Sequence, residues 1–240
     1  MKIAILADIH ANLEALESIL IDAEQQGSER FYFLGDIIGY GTDPVACICR
    51  LKEVEAICVL GNHDQALVEQ GLIRTFNYMA RTSLYEAVNQ LTEDDLDYIN
   101  SFAFRHIEYD AVFSHANPIR PKEWEPLFLY EQIAWCLNHL DWSTCFSGHT
   151  HQAGIYCKTG NKTVPLTSAH VALGRHKYFI NPGSVGQPRD GDWRASYAIW
   201  DMERSYVELR RVEYPIKRTQ EKILNAGWPQ YMAERLERGE

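Results

Sequence analysis

Five short clusters hold the residues of this chain that could do chemistry: Asp8-Ile9-His10, Gly35-Asp36, Gly61-Asn62-His63-Asp64, Ser114-His115 and Gly148-His149-Thr150-His151. Among them Asp8, His10, Asp36, Asn62, His115, His149 and His151 offer carboxylate, imidazole and amide-oxygen donors. No thiolate is in the set, and such hard-to-borderline donors suit manganese, iron, zinc or nickel. Seven donors exceed what one ion needs, and catalysis requires open positions, so two ions sharing a bridging carboxylate is the economical arrangement. Ions roughly 3.5–4 Å apart can clamp a phosphoryl group and activate water between them. A turn or a cap would explain any single cluster, and a satisfied core histidine would explain His115. The glycines at 61 and 148 make their clusters more specific, because they let the backbone turn tightly beside adjacent polar side chains.

Each cluster follows directly on a short apolar run suited to a buried strand: Ile3–Ala7, Phe31–Leu34, Ala56–Leu60, Ala111–Ser114 and Cys145–Ser147. Helical patterns separate most of these runs, so the first half reads as α/β. In such sheets the carboxyl ends of the strands face a common crevice, where clusters spread over half the chain can converge. Asn12 can cap a helix carrying Leu13, Leu16, Leu20 and Ala23, with Gly27 as its stop. Asp43-Pro44 reads as a cap and first turn of another. Residues 72–105 read as a helical insertion, with Thr92 and Asp95 at capping-box positions. After about residue 155 the pattern turns to strands, Lys177–Ile180, Ala195–Trp200 and Tyr206–Val212, which predicts a second sheet packed on the first. From Lys217 to Arg238 two short helices are expected around Gly227-Trp228-Pro229, with no evident chemistry.

With 46% hydrophobic and only 23% charged residues, the 240-residue chain has ample apolar surface for one domain spanning 1–240. Its formal net charge of −10 argues against binding long nucleic acid, which needs a basic face. The apolar start of the chain reaches Asp8 too soon for a signal peptide, and no run is long enough to span a bilayer, so the expectation is a cytoplasmic protein without a membrane partner. Cys47, Cys49, Cys58, Cys136, Cys145 and Cys157 lie in apolar segments without a Cys-x-x-Cys pair and read as reduced core residues.

The order Asp-x-His, Gly-Asp, Gly-Asn-His-Asp, His and Gly-His-x-His resembles the calcineurin-like metallophosphoesterase superfamily. Asn181-Pro182-Gly183-Ser184-Val185-Gly186 extends the resemblance toward its small bacterial phosphodiesterase branch, related to diadenosine tetraphosphatases. The resemblance implies a four-layer α/β/β/α sandwich and two divalent ions, manganese first among the candidates. It puts Asp8, His10 and His151 on one ion and Asn62, His115 and His149 on the other, with Asp36 bridging. It implies hydrolysis of a phosphate ester, a phosphodiester before a phosphomonoester, by attack of metal-bound hydroxide. His63 becomes the histidine facing the substrate phosphate, stabilising charge or protonating the leaving oxygen, with Asp64 a candidate to orient it. Two dications against two carboxylates leave a positive site that suits a small, nucleotide-derived anion. The protein phosphatases of this superfamily carry Gly-Asp-x-x-Asp-Arg-Gly, whereas this chain reads Gly35-Asp36-Ile37-Ile38-Gly39-Tyr40-Gly41, which disfavours protein dephosphorylation. Arg189 is a candidate to reach the phosphate, and His170 and His176 are read as ordinary. The competing class is a non-catalytic interaction module on the same scaffold, as one retromer subunit is.

Overall fold

Along β1 (Lys2–Leu6) side chains alternate between two faces, and Ile3, Ala4, Ile5 and Leu6 are all buried, so this strand must lie between two apolar layers. The computed structural model describes all 240 residues and shows what those layers are. One is a second sheet. The first sheet has the order β3 (Ile57–Cys58), β2 (Arg30–Phe33), β1, β11 (Ala195–Asp201), β12 (Tyr206–Val212) and β9 (His170–Ala172). The second runs β4 (Arg105–Glu108), β5 (Ala111–Ser114), β6 (Thr144–Ser147), β10 (Lys177–Asn181), β7 (Gly154–Thr159) and β8 (Lys162–Leu166). Between them Ile3, Ile5, Tyr32, Phe113, Phe146 and Trp200 share one core. The rings of Phe113 and Phe146 lie parallel within 5°, their centroids 5.2 Å apart.

The opposite face of β1, carrying Ala4 and Leu6, packs on α1 (Leu13–Gln25), α2 (Pro44–Glu53) and α3 (Asn62–Val68) through Leu16, Ile19, Ile48 and Leu67. Outside the second sheet, α6 (Tyr130–His139) sets Ile133, Cys136 and Leu137 against Val112, Cys145 and Phe179. The layers are therefore α/β/β/α, as the resemblance implies.

Local signals explain the helix ends. Asn12 accepts a hydrogen bond from the Ala15 N–H at 3.2 Å, and Gly27 takes the positive φ of 77° that ends α1. The helical stretch expected over 72–105 is built as a 3-10 turn at Gln70–Thr75, then α4 (Tyr78–Gln90) and α5 (Glu93–Asn100), where Thr92 and Asp95 form the capping box. The chain has left helix before Arg105 opens β4. That edge strand, like β8 and β9, carries exposed residues and lacks the apolar run that marks a buried strand. Asp43 stands at the N-cap of α2 without capping it; its carboxylate instead accepts from Thr42 at 2.9 Å and from Lys222 at 2.8 Å.

Lys222 lies on α7 (Ile216–Asn225) and also pairs with the buried Glu14 of α1 at 2.6 Å. This ion pair and the contacts of Met232 and Leu236 with Tyr40 dock α7 and α8 (Gln230–Arg238) over the loop that follows Asp36. All six cysteines are free, and no helix is long and apolar enough to cross a membrane.

Phe113 contacts both sheets and is fully buried. Phe113→Ala should lower unfolding stability by about 3–5 kcal/mol. Denaturant titration would check this, and a loss below about 1 kcal/mol would show that the sheets close over the gap.

Candidate metal centre

The turns after β1 and β2 are tied to each other. The N–H groups of Asp8, His10 and Ala11 donate to the carbonyls of Gly35, Asp36 and Ile37 at 3.0, 3.0 and 2.7 Å, which carries the parallel ladder past the strand ends. Asp8, His10, Asp36, His149 and His151 all have left-handed backbones, with φ of 54°, 49°, 61°, 67° and 58°. Residues with side chains rarely adopt that conformation and hold it only where surrounding contacts overdetermine it. Those contacts include Asn181-Pro182-Gly183-Ser184-Val185-Gly186. Ser184 Oγ and the Gly186 N–H donate to the Asp8 carbonyl at 2.8 and 3.0 Å, and Asn181 Nδ2 donates to the Gly148 carbonyl at 3.0 Å. Approach is close enough to require glycine: a Cβ at residue 186 would stand 1.8 Å from the Ile9 oxygen, and one at residue 61 would stand 2.2 Å from the Asp36 nitrogen.

On this frame the seven candidate ligands meet, five of them buried and Asn62 and His149 half-buried. His10 and His151 approach Nε2 to Nε2 at 3.0 Å, with Asp8 Oδ1 3.4 Å from His151. His115 Nε2 lies 2.9 Å from His149 Nδ1 and 3.0 Å from Asn62 Oδ1. Asp36 Oδ2 stands between the two groups, 3.8 Å from His10 and 3.4 Å from His115. The second ring nitrogens are engaged: His10, His115 and His151 each donate Nδ1–H to a carbonyl, of Ile38, Leu34 and Gln187, at 2.9, 2.8 and 2.6 Å. That fixes the tautomer of the neutral rings and leaves Nε2 of His10 and His151 as a bare lone pair, as in metal-bound histidines. Two such lone pairs 3.0 Å apart repel each other unless a cation lies between them, so the donor set fits metal ions.

The charges agree. Burial holds His10 and His151 well below the ordinary histidine range and brings His149 down to about 3, so these rings are neutral and ready to ligate. Burial pushes Asp8 up, as expected for a carboxylate awaiting a counter-charge. Burial would also raise Asp36, but the neighbouring His115 and His63 hold it well below the usual range. His115 is the exception among the rings. Burial opposes its charge, yet Asp36 and Asp8 outweigh it and raise the ring to about 9.

The calcineurin-like phosphoesterase superfamily domain matches residues 1–205. The chain belongs to that superfamily. A metallophosphoesterase of Sphaerobacter thermophilus is 36% identical with a TM-score of 0.88, each chain covered in full. An uncharacterised protein of Methanocaldococcus jannaschii is 36% identical over 98% of this chain and 96% of its own length. A protein of Pyrococcus horikoshii, 18% identical with a TM-score of 0.83 over 100% of this chain and 98% of its own, shares the fold.

Within this calcineurin-like centre one expected role changes. Asp64 does not orient His63. Its carboxylate faces away, accepting from the N–H groups of Asp36, Ile37 and Gly61 at 2.7, 2.9 and 3.1 Å, because these backbone donors at the start of α3 and the Asp36 turn have no other acceptor in reach. It braces the Asp36 turn. His63 is buried between His10, Tyr40 and Phe76, ring centroids 4.9, 5.1 and 4.7 Å away, with Nε2 4.0 Å from Asp36 Oδ2 and Nδ1 unpartnered. Lacking a carbonyl anchor, it differs from the three anchored rings, although it lies close enough to His10 and Asp36 to complete a donor group with them. The Arg189 guanidinium donates to Gln187 Oε1, and its charge bears on His10, His63, His149, His151 and Asp8. His170 and His176 lie apart; the former stacks on Tyr206 at 4.2 Å.

A groove lies beside the centre, lined in part by the helical stretch expected over 72–105. About 480 Å³ opens beside Asn62 and His149, walled by Leu72, Phe76, Lys122 and Trp124. Trp124 sits in a left-handed conformation with Nε1–H donating to Gln65 Oε1 at 2.8 Å, a position that no local motif announces.

Replacing the shared carboxylate, Asp36→Asn, should lower occupancy at both donor groups; elemental analysis showing full occupancy would refute the bridging placement. Proton release gives a second check. Because His115 sits near 9 without metal and its Nδ1–H is committed to Leu34, the extra proton is on Nε2, the atom a metal needs. Metal affinity should therefore rise with pH until about 9 and weaken roughly tenfold per pH unit below it. Competition titrations at several pH values would read this, and a flat profile would contradict it.

Proposed function

We propose that this chain hydrolyses a small phosphate ester, a phosphodiester first of all, at two divalent metal ions, with manganese the leading candidate. The observation that carries the proposal is the pair of donor groups sharing Asp36, with His10 and His151 presenting lone pairs to each other at 3.0 Å. Asp8, His10 and His151 would hold one ion, Asn62, His115 and His149 the other, and Asp36 both. When bound, such ions act as Lewis acids and lower the pKa of water toward neutrality.

The protein's own groups supply the rest. His63 is brought down to about 4 by burial, so at neutral pH its ring is uncharged and is not a preloaded general acid. An orphaned acceptor lone pair at buried Nδ1 costs less than an orphaned N–H, which places the proton on Nε2, the nitrogen directed toward Asp36. From there it donates a hydrogen bond to a phosphoryl oxygen and stabilises charge that grows in the transition state. The groove beside Asn62 and His149 gives an ester substituent an apolar wall in Phe76 and Trp124 and a cation in Lys122. Two of its wall residues, Leu72 within the 3-10 turn that opens the helical stretch and Phe76 directly after it, belong to this segment, which therefore shapes substrate choice. Six free thiols and a net charge of −10 support a reducing, cytoplasmic setting and a small substrate in place of long nucleic acid.

The deciding experiment pairs metal analysis with turnover on diesters, cyclic nucleotides, dinucleoside polyphosphates and monoesters. His63→Ala should keep both metals and lower kcat by about 10²–10³-fold. A metal-loaded chain that hydrolyses nothing on the panel would favour the interaction-module reading, and an unimpaired His63→Ala variant would remove the assigned role.

A further inference from the structure

Trp124 is a half-buried indole whose orientation is fixed. Its Nε1–H donates to Gln65 Oε1 at 2.8 Å, its ring meets that of His115 edge to face at 5.8 Å, and Phe104 lies tilted against it at 5.8 Å. Gln65 is held in turn, its Nε2 donating to Glu69 Oε1 at 2.9 Å. The Trp124 backbone is left-handed, with φ 53° and ψ 26°, directly after the 3-10 turn Pro121–Glu123. A bulky side chain is strained in that region, whereas glycine would end the turn without strain. The contacts of the indole hold it against that strain and set it in the wall of the groove that opens beside Asn62 and His149.

At about 480 Å³ the groove has the size of a small-molecule site, and it begins at two candidate ligands of one ion. A substituent on a phosphate bound at that ion therefore meets its walls. The apolar wall is Leu72, Phe76 and Trp124, and Phe76 is also fixed, its ring edge-on to His63 at 4.7 Å. A flexible alkyl group gains only area burial on such a wall. A flat ring gains more, because immobile aromatic faces favour offset or edge-to-face contact and lose no rotamer freedom on binding. The polar wall suits the edge of a ring. Gln65 keeps one uncommitted N–H on Nε2, and Glu69 keeps Oε2 free to accept. A heterocycle with a ring nitrogen and an amino group can pair with both.

We propose that Trp124 is a specificity-determining residue that stacks on a flat aromatic ring carried by the phosphate ester, so that nucleoside or aryl esters are selected over alkyl and sugar esters. This rests on the phosphoesterase reading and names its substrate class. It is tested by calorimetry on the full-length, manganese-loaded chain with two pairs of probes: adenosine 5′-monophosphate against ribose 5-phosphate, and phenyl phosphate against ethyl phosphate. In at least one pair the ring-bearing probe should bind about tenfold more tightly, and the pair that shows it identifies the ring as a nucleobase or a plain aryl group. Trp124→Gly, which suits the left-handed backbone, should remove most of that advantage while changing manganese content and ribose 5-phosphate affinity far less. Trp124→Phe should keep part of the advantage. If Trp124→Gly does not fold, Trp124→Leu carries the same comparison, since it keeps apolar area but has no ring. A wild type without a ring advantage, an advantage that survives loss of the indole, or equal losses for all four probes would overturn the assignment; the last would make Trp124 only a support for His115. Binding is read without turnover, so a chain that hydrolyses no ester would refute catalysis separately.

Discussion

The centre is a place where electron-rich atoms are forced together out of water. Imidazole nitrogens meet at 3.0 and 2.9 Å, an amide oxygen adds to one group, and two carboxylates are fully enclosed. Left to themselves these groups would separate or take up protons, and His115 does the latter in response to Asp36. The surrounding architecture can be understood as what prevents separation. Backbone carbonyls pin three rings, the ladder beyond β1 and β2 pins the two aspartate turns to each other, and the 181–186 segment pins Asp8 from the opposite side.

That confinement is expensive. Five left-handed residues at about 1–3 kcal/mol each amount to strain comparable with the whole net stability of a typical domain. It is tolerable because each strained turn follows a strand buried on both faces, where the sheets and helices already fix the backbone. Asp64 illustrates the division of labour. Its carboxylate accepts from three backbone N–H groups, those of Asp36, Ile37 and Gly61, and so braces the turn from which Asp36 faces the centre.

Much of this was legible from the sequence, because ligand-type residues directly after apolar runs identify strand ends, and strand ends in α/β sheets converge. The short motifs were therefore informative about residues far apart in the chain. What escaped notice depended on partners that no local pattern names. Asp64 follows His63 and was expected to serve it, but its acceptor geometry is decided by a neighbouring strand's turn. Trp124 and Lys122 come from a connection without periodicity. The edge strands β4, β8 and β9 went unread because exposure removes the apolar run that announces a strand.

The pairing of β1 with β11 joins Lys2–Ile5 to Ala198–Asp201. During synthesis the strand bearing Asp8 and His10 therefore waits, with one edge open, until some two hundred residues have followed it. The ladder on its other side, with β2, closes early, but the 181–186 support and the His149-Thr150-His151 turn arrive late. A nascent chain thus holds scattered aspartates and histidines with no assembled pocket, and selective metal capture belongs to the last stage of folding.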